Sequence, residues 1–193
     1  MTCIVAIREE GKIVIAGDSA ACSDEGLIEV RQDPKVFECD DYLIGYTTSF
    51  RMGQILHHNT ALPKPETKKD GFAFMVREFI PAVQRAFEEH KFAKTLSRGE
   101  TLDTGHWGET GQAWAGKFIV GFHGQVFVIY SDYQVAMPEL PYAAIGSGAK
   151  VAYGALHATQ TLPLVERAEV ALRAASEHCS CVKSPFKIVM NPP

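Results

Sequence analysis

Apolar positions along the chain fall into short blocks whose period switches between that of a strand and that of a helix. Thr2 to Arg8 is β-branched and apolar, Glu9-Glu10-Gly11 is a short polar turn, and Lys12 to Ala16 is apolar again. This predicts a β-hairpin ending at Asp18. The strand begins at once, although chain ends usually carry a loose lead. Ser19 to Glu25 is small and polar and reads as a loop. Leu27 to Arg31, Lys35 to Cys39 and Tyr42 to Tyr46 read as strands, the last two joined by a turn at Asp40-Asp41.

Helical spacing appears next. Phe50, Ile55 and Leu56 mark a helix within Ser49 to Thr60, which Pro63 and Pro65 break. Phe72, Met75, Val76, Phe79, Ile80, Val83 and Phe87 predict an amphipathic helix from Gly71 to His90, and Pro81 predicts a kink in it or a later start. Residues 91–111 are polar and rich in glycine, the most loop-like stretch of the chain. Gln112 to Phe122 and Gln125 to Tyr130 then form a second hairpin around His123-Gly124. Tyr142 to Ile145 is a short strand, and Gly146-Ser147-Gly148 leads into a helix from Ala149 to Thr159. A further helix runs from Pro163 to His178, with the proline fitting the first helical position, and Phe186 to Met190 is a closing strand.

Strands and helices thus come in blocks rather than in strict alternation. That excludes a doubly wound or barrel fold and predicts an α+β chain: two antiparallel sheets face to face, each covered outside by helices. At 193 residues, with no repeat and no long linker, a single domain over 1–193 is expected.

Composition narrows the function. A net charge of −4 gives no basic face for nucleic acid. No apolar run reaches the roughly 18 residues of a membrane span. The N-terminus has no signal-peptide pattern, so a cytoplasmic protein is expected. The five cysteines, Cys3, Cys22, Cys39, Cys179 and Cys181, are odd in number and scattered, which predicts small buried hydrophobes rather than a disulfide framework or a zinc site.

Three motifs fail on chemistry. Gly17-Asp18-Ser19 resembles a serine esterase signature, but no Asp stands three residues before a late histidine. Asp103-Thr104-Gly105 lacks the second carboxylate that aspartic protease chemistry shares a proton with. Gly146-Ser147-Gly148 has Val151 where a dinucleotide loop has glycine, and no Lys-Ser/Thr follows. A fourth set does better. Removal of Met1, the sole activation step expected, would leave Thr2 with a nucleophilic hydroxyl and an amine base in one residue. Asp18 ends the partner strand beside it. Lys35 opens a strand, and its ammonium would lower the proton affinity of a neighbouring amine.

With these residues in place, the chain resembles the proteasome β-type family of N-terminal nucleophile (Ntn) hydrolases, and most of all the bacterial two-ring peptidase that works with a AAA+ unfoldase. The resemblance is carried by Thr2-Cys-Ile-Val-Ala-Ile-Arg with Ile15-Ala-Gly-Asp18, by Lys35-Val36, by Leu43-Ile44-Gly45, and by Ala144-Ile145-Gly146-Ser147-Gly148. It implies a four-layer αββα sandwich. It implies Thr2 as nucleophile and base, Asp18 and Lys35 as tuning residues, the Gly45 amide as oxyanion donor, and Ser147 near the amine. Ala21, Leu43 and Thr47 would line the substrate pocket. No cofactor is required, although a sodium ion on the backbone carbonyls of Ser176, Cys179 and Val182 is implied for this branch. The implied partners are copies of the chain in hexameric or heptameric rings stacked in pairs, a AAA+ unfoldase, and unfolded proteins. Two departures stand out. Tyr46-Thr47-Thr48 occupies a stretch where the family often places a further glycine, and residues 91–111 are longer than their counterpart. Rival functions are an assembled homologue with little peptidase activity, serving as scaffold or chamber, and a small-molecule amidase or acylase of the same nucleophile class.

Overall fold

The computed structural model describes residues 2–23, 26–64, 70–92 and 116–191. Met1, most of the long polar segment (93–111), the Asp103-Thr104-Gly105 motif and Gln112 lie outside them.

The expected hairpin is formed by β1 (Cys3–Glu9) and β2 (Lys12–Gly17). They are the central pair of a four-stranded antiparallel sheet, β10-β1-β2-β11, completed by β10 (Tyr142–Gly146) and β11 (Lys187–Met190). A second antiparallel sheet, β5-β6-β7-β8-β9, joins β5 (Val36–Cys39), β6 (Tyr42–Tyr46), β7 (Phe118–Phe122), β8 (Gln125–Ile129) and β9 (Val135–Ala136). The expected loop after Asp18 is instead partly a strand. There, β3 (Ala20–Cys22) pairs with β4 (Ile28–Val30), because the backbone donors of this segment need partners and β4 supplies them.

Strand alternation explains the packing. Val5, Ile7, Val14 and Ala16 face helices α4 (Ala149–Ala158) and α5 (Leu164–His178), which bring Leu156, Ala168, Ala171 and Leu172. Ile4, Ala6, Ile13 and Ile15 face the other way and meet Val36, Leu43, Ile119 and Val128 of the second sheet. That sheet turns Tyr42, Ile44, Phe118 and Val120 toward Met52, Ile55, Phe79 and Val83 of the remaining helices. Strands buried on both faces read as continuous apolar runs. Each buried Val, Leu, Ile, Phe or Met side chain among them contributes about 1.5–3 kcal/mol.

Ser49 caps α1 (Phe50–His58), its hydroxyl accepting the Met52 N–H at 3.2 Å. The long amphipathic segment is α2 (Gly71–Phe74), a π-helical turn (Met75–Phe79) and α3 (Ile80–Glu89). Pro81 has no N–H for a regular helical bond, so the ladder is adjusted in the turn before it rather than broken.

Candidate functional site

Register fixes where the site lies. Cys3 is opposite Gly146 on β10, and Ile4 is opposite Gly17 on β2. Thr2 therefore sits at the open end of a central strand, with Asp18 on one flank and Ser147 on the other. It is 4% exposed. Its N–H donates to Ser147 Oγ at 3.3 Å, and the Ser147 hydroxyl lies 3.4 Å from the Thr2 carbonyl oxygen. The Gly148 N–H donates to the same carbonyl at 3.2 Å. Gly146 makes this approach feasible. It has φ +98, and a Cβ there would lie 2.1 Å from the Thr2 oxygen.

Asp18 is the electrostatic centre. Its Oδ1 accepts from the Cys3 N–H and from Lys35 Nζ, each at 2.9 Å. Its Oδ2 accepts from the Ala20 N–H at 3.0 Å and the Lys183 N–H at 3.4 Å. The side chains of this ion pair are 0% and 1% exposed. Burial of two charges is tolerable only when the remaining lone pairs are satisfied, and these backbone donors do that. Burial pushes the Lys35 ammonium below its ordinary value, while the charge and hydrogen bond of Asp18 oppose the shift. Beside Thr2, the Cys3 thiol is pushed up to about 12 by burial and by the charges of Asp18 and Cys179. A thiol so shifted stays protonated at neutral pH.

Thr2, Asp18, Lys35 and Ser147 are thus brought together. Thr47 joins them. It is buried, its hydroxyl donates to the Lys117 carbonyl at 3.2 Å, and its Cγ2 lies 3.3 Å from the point a Cβ on Gly146 would occupy. Ala21 lies half-buried on β3, paired with Glu29.

Two expected residues stand elsewhere. Leu43 belongs to the apolar layer between the sheets. It is opposite Gly121, whose own neighbour there is Ile13, near the hairpin turn and far from Thr2. It cannot line the pocket. Gly45 is the penultimate residue of β6, opposite Val36 and Ile119. Amide directions alternate along a strand. The Tyr46 N–H goes to Lys35 and the Thr47 N–H to Lys117 on β7, so the Gly45 N–H also points into the β7 ladder. Its glycine identity is a packing requirement, since a Cβ would lie 2.6 Å from Ile4 Cγ2. The amide that leaves the ladder is that of Thr48. Thr48 is exposed, has φ 79, and among the described residues no acceptor takes its N–H. The missing family glycine was the sequence signal for this position: threonine takes the left-handed conformation there.

The motif serine Ser19 is accounted for structurally, because its hydroxyl donates to the Pro185 carbonyl at 2.6 Å. For the expected sodium ligands, the Cys179 carbonyl accepts the Val182 N–H at 3.2 Å and keeps a second lone pair, while Ser176 lies in the last turns of α5. No cluster of acidic, histidine or cysteine side chains that could hold a metal occurs among the described residues. The reading of all five cysteines as simple hydrophobes is corrected. Cys22 and Cys181 form a disulfide, and Cys3, Cys39 and Cys179 are free. Spacing gave no hint of it, since the partners are 159 positions apart and meet only because the turn after α5 returns to β3. Lys183, a backbone donor to Asp18, was equally invisible, because a main-chain contact leaves no residue signature. No helix among the described residues is long and apolar enough to cross a membrane.

No family model matches the chain, and no curated protein matches it. Solved structures do. The chain is similar to BPH of Thiobacillus denitrificans in complex with epoxomicin, with 19% identity, a TM-score of 0.74, and coverage of 99% of this chain and 100% of that one. It is similar to the eukaryotic HslV of Trypanosoma brucei at 18% identity and TM-score 0.64, covering 97% of this chain and 98% of that one. It is also similar to the Anbu (Gly-1) mutant from Hyphomicrobium sp. strain MC1 at 17% identity and TM-score 0.64, covering 99% and 81%. Likeness over the full length at such low identity is a likeness of fold, and the fold of this chain is that of the proteasome-like Ntn hydrolases.

Proposed function

We propose that the chain is a threonine-type peptidase subunit, built as a four-layer αββα sandwich, that cleaves unfolded polypeptides through an acyl-enzyme. The observation that carries this is Thr2 at a buried strand end, its nitrogen on Ser147 Oγ and its neighbour Cys3 tied to the Asp18–Lys35 pair. Once Met1 is removed, Thr2 has a free α-amine, with an ordinary pKa of about 7.7–8.0. The Lys35 ammonium disfavours its protonation, and Ser147 orients it. The amine takes the hydroxyl proton through a water, and Oγ bonds to the scissile carbonyl carbon. The oxyanion that forms is met by the Thr48 N–H. The C–N bond breaks, the leaving amine takes the proton, and an ester remains on Thr2. Water, activated by the same amine, then hydrolyses the ester.

Thr47 and Ala21 border the substrate side. A sodium ion on the carbonyls of Ser176, Cys179 and Val182 would brace the turn after α5 and takes no part in bond making. Copies of the chain in hexameric or heptameric rings, stacked in pairs, would confine the sites in a chamber that a AAA+ unfoldase feeds, in the cytoplasm. The test is hydrolysis of an unfolded reporter polypeptide by the chain and by Thr2→Ala, with particle mass from light scattering. Ring-sized particles whose hydrolysis disappears in the variant are expected. Hydrolysis that survives Thr2→Ala overturns the proposal.

A further inference from the structure

The turn that follows α5 touches both groups flanking Thr2. The Cys179 thiol lies 3.9 Å from the Ser147 carbonyl oxygen. The Lys183 N–H donates to Asp18 Oδ2 at 3.4 Å, the longest of the four bonds at that carboxylate. The Ser19 N–H donates to the Lys183 carbonyl at 3.0 Å, and the Ser19 hydroxyl reaches the Pro185 carbonyl. Residues 179–185 therefore form a strap across the open end of the hairpin. Its one covalent tie among the described residues is Cys22–Cys181, which joins it to β3 immediately after Asp18, with Cα atoms 6.0 Å apart.

We propose that Cys22–Cys181 is a reversible redox clip that sets how firmly the strap holds Asp18, and through Asp18 the reactivity of Thr2; the second half rests on the hydrolase reading above. The reductant is a small dithiol. One thiolate attacks Cys22, the half-exposed partner, and the S–S bond breaks with Cys181 as leaving thiolate, which takes up a proton. The second thiol of the reagent then displaces Cys22. Two electrons and two protons pass to the protein, and the reagent leaves as its own disulfide. Cys181, 5% exposed, is shielded from direct attack, so the route through Cys22 is the open one. In a cytoplasm kept reducing by thiols the unclipped form is the resting state, and oxidation tightens the site.

The consequence follows from what the strap supplies. Without the clip its Cys181–Lys183 part is held by the hydrogen bonds to Ser19 and Asp18 and by the buried Val182, and its start by the Cys179–Ser147 contact. Loss of the Lys183 donor leaves Oδ2 with only the Ala20 N–H, and a carboxylate with fewer donors holds Lys35 and the Cys3 N–H less firmly. The effect is local, because the β1–β10 ladder that positions Gly146 beside Cys3 does not depend on the clip.

The experiment uses the full chain, oxidised and treated with a dithiol, beside Cys22→Ser and Cys181→Ser. Peptide mapping without reduction reads the cross-link, hydrogen exchange reads the strap, and epoxomicin labelling reads Thr2. Three results are expected. A 22–181 cross-linked peptide is found in the oxidised chain. Exchange in residues 18–22 and 181–185 speeds by about tenfold on reduction and in each variant. Labelling of Thr2 slows by about tenfold on reduction, and reoxidation restores it in the wild type but not in the variants. Absence of the cross-link, or exchange unchanged by reduction, overturns the clip. Faster exchange with unchanged labelling overturns its control of Thr2. Failure of Thr2 to label in either state overturns the hydrolase reading instead, and exchange then decides the clip by itself. If a serine variant does not fold, the wild type with and without dithiol gives the same comparison.

Discussion

The β1–β2 hairpin has two ends that solve the same problem differently. At the turn end, Asn191 accepts the Ile13 N–H and donates to the Gly11 carbonyl, so a neutral side chain satisfies the backbone. At the open end, a carboxylate satisfies the backbone and also holds a buried ammonium. Its N–H donors fall on both oxygens, which a carboxylate can accept and an amide, with one oxygen and a donating NH2, cannot. The ion pair is costly to bury and adds nothing that packing needs. The difference teaches that the open end is organised around charge, placed next to the strand end that carries Thr2.

The sharpest break in that comparison is Thr2→Ala. Peptide hydrolysis should fall by on the order of 10⁶, as when other hydrolases lose their nucleophile, while the circular dichroism spectrum is unchanged. Next is Asp18→Ala, which leaves Lys35 buried without its partner. Urea unfolding should show a loss of about 3–5 kcal/mol, with part of it returned in the Asp18→Ala/Lys35→Met double variant. At the other end, Asn191→Ala should cost about 1–3 kcal/mol by leaving backbone groups unsatisfied, with Thr2 labelling by epoxomicin unaltered.

The smallest effect is in pH. The folded Cys3 thiol titrates at about 12 against an ordinary 9.0, so its contribution to stability is fully present below pH 9 and is lost as pH rises from 9 toward 12. Lys35, shifted down, works in the opposite sense below its ordinary 10.5. The Cys3 effect is therefore isolated by comparing wild type with Cys3→Ala. The stability difference between them should shrink above pH 9 by at most about 1.4 kcal/mol per pH unit, read from urea midpoints at pH 8 and pH 10.

Much of this was legible in the sequence because it was written in side-chain patterns. The hairpin from Thr2 to Asp18, the helices after Ser49 and after Gly148, and the blocks of strands follow from period and punctuation. Thr2, Asp18, Lys35 and Ser147 lie where strand ends must converge once β1 is central. What stayed hidden depends on backbone direction or on long-range closure. The motif points to Gly45 as an amide donor, yet an amide's direction depends on its place in a ladder, and only the register shows that Thr48 is the first residue outside it. Leu43 is part of that motif, but strand alternation, applied from Gly45, turns it into the layer between the sheets. The β3 strand was masked by small residues whose partner lies beyond an intervening turn. The Cys22–Cys181 pair is closed by tertiary structure alone.

The central claim is that Thr2 is the nucleophile, and intact-mass spectrometry of the full chain before and after epoxomicin tests it most directly. The expected result is a chain lacking Met1 that gains one inhibitor mass, mapped by fragmentation to Thr2. A chain that keeps Met1 and gains no mass contradicts it.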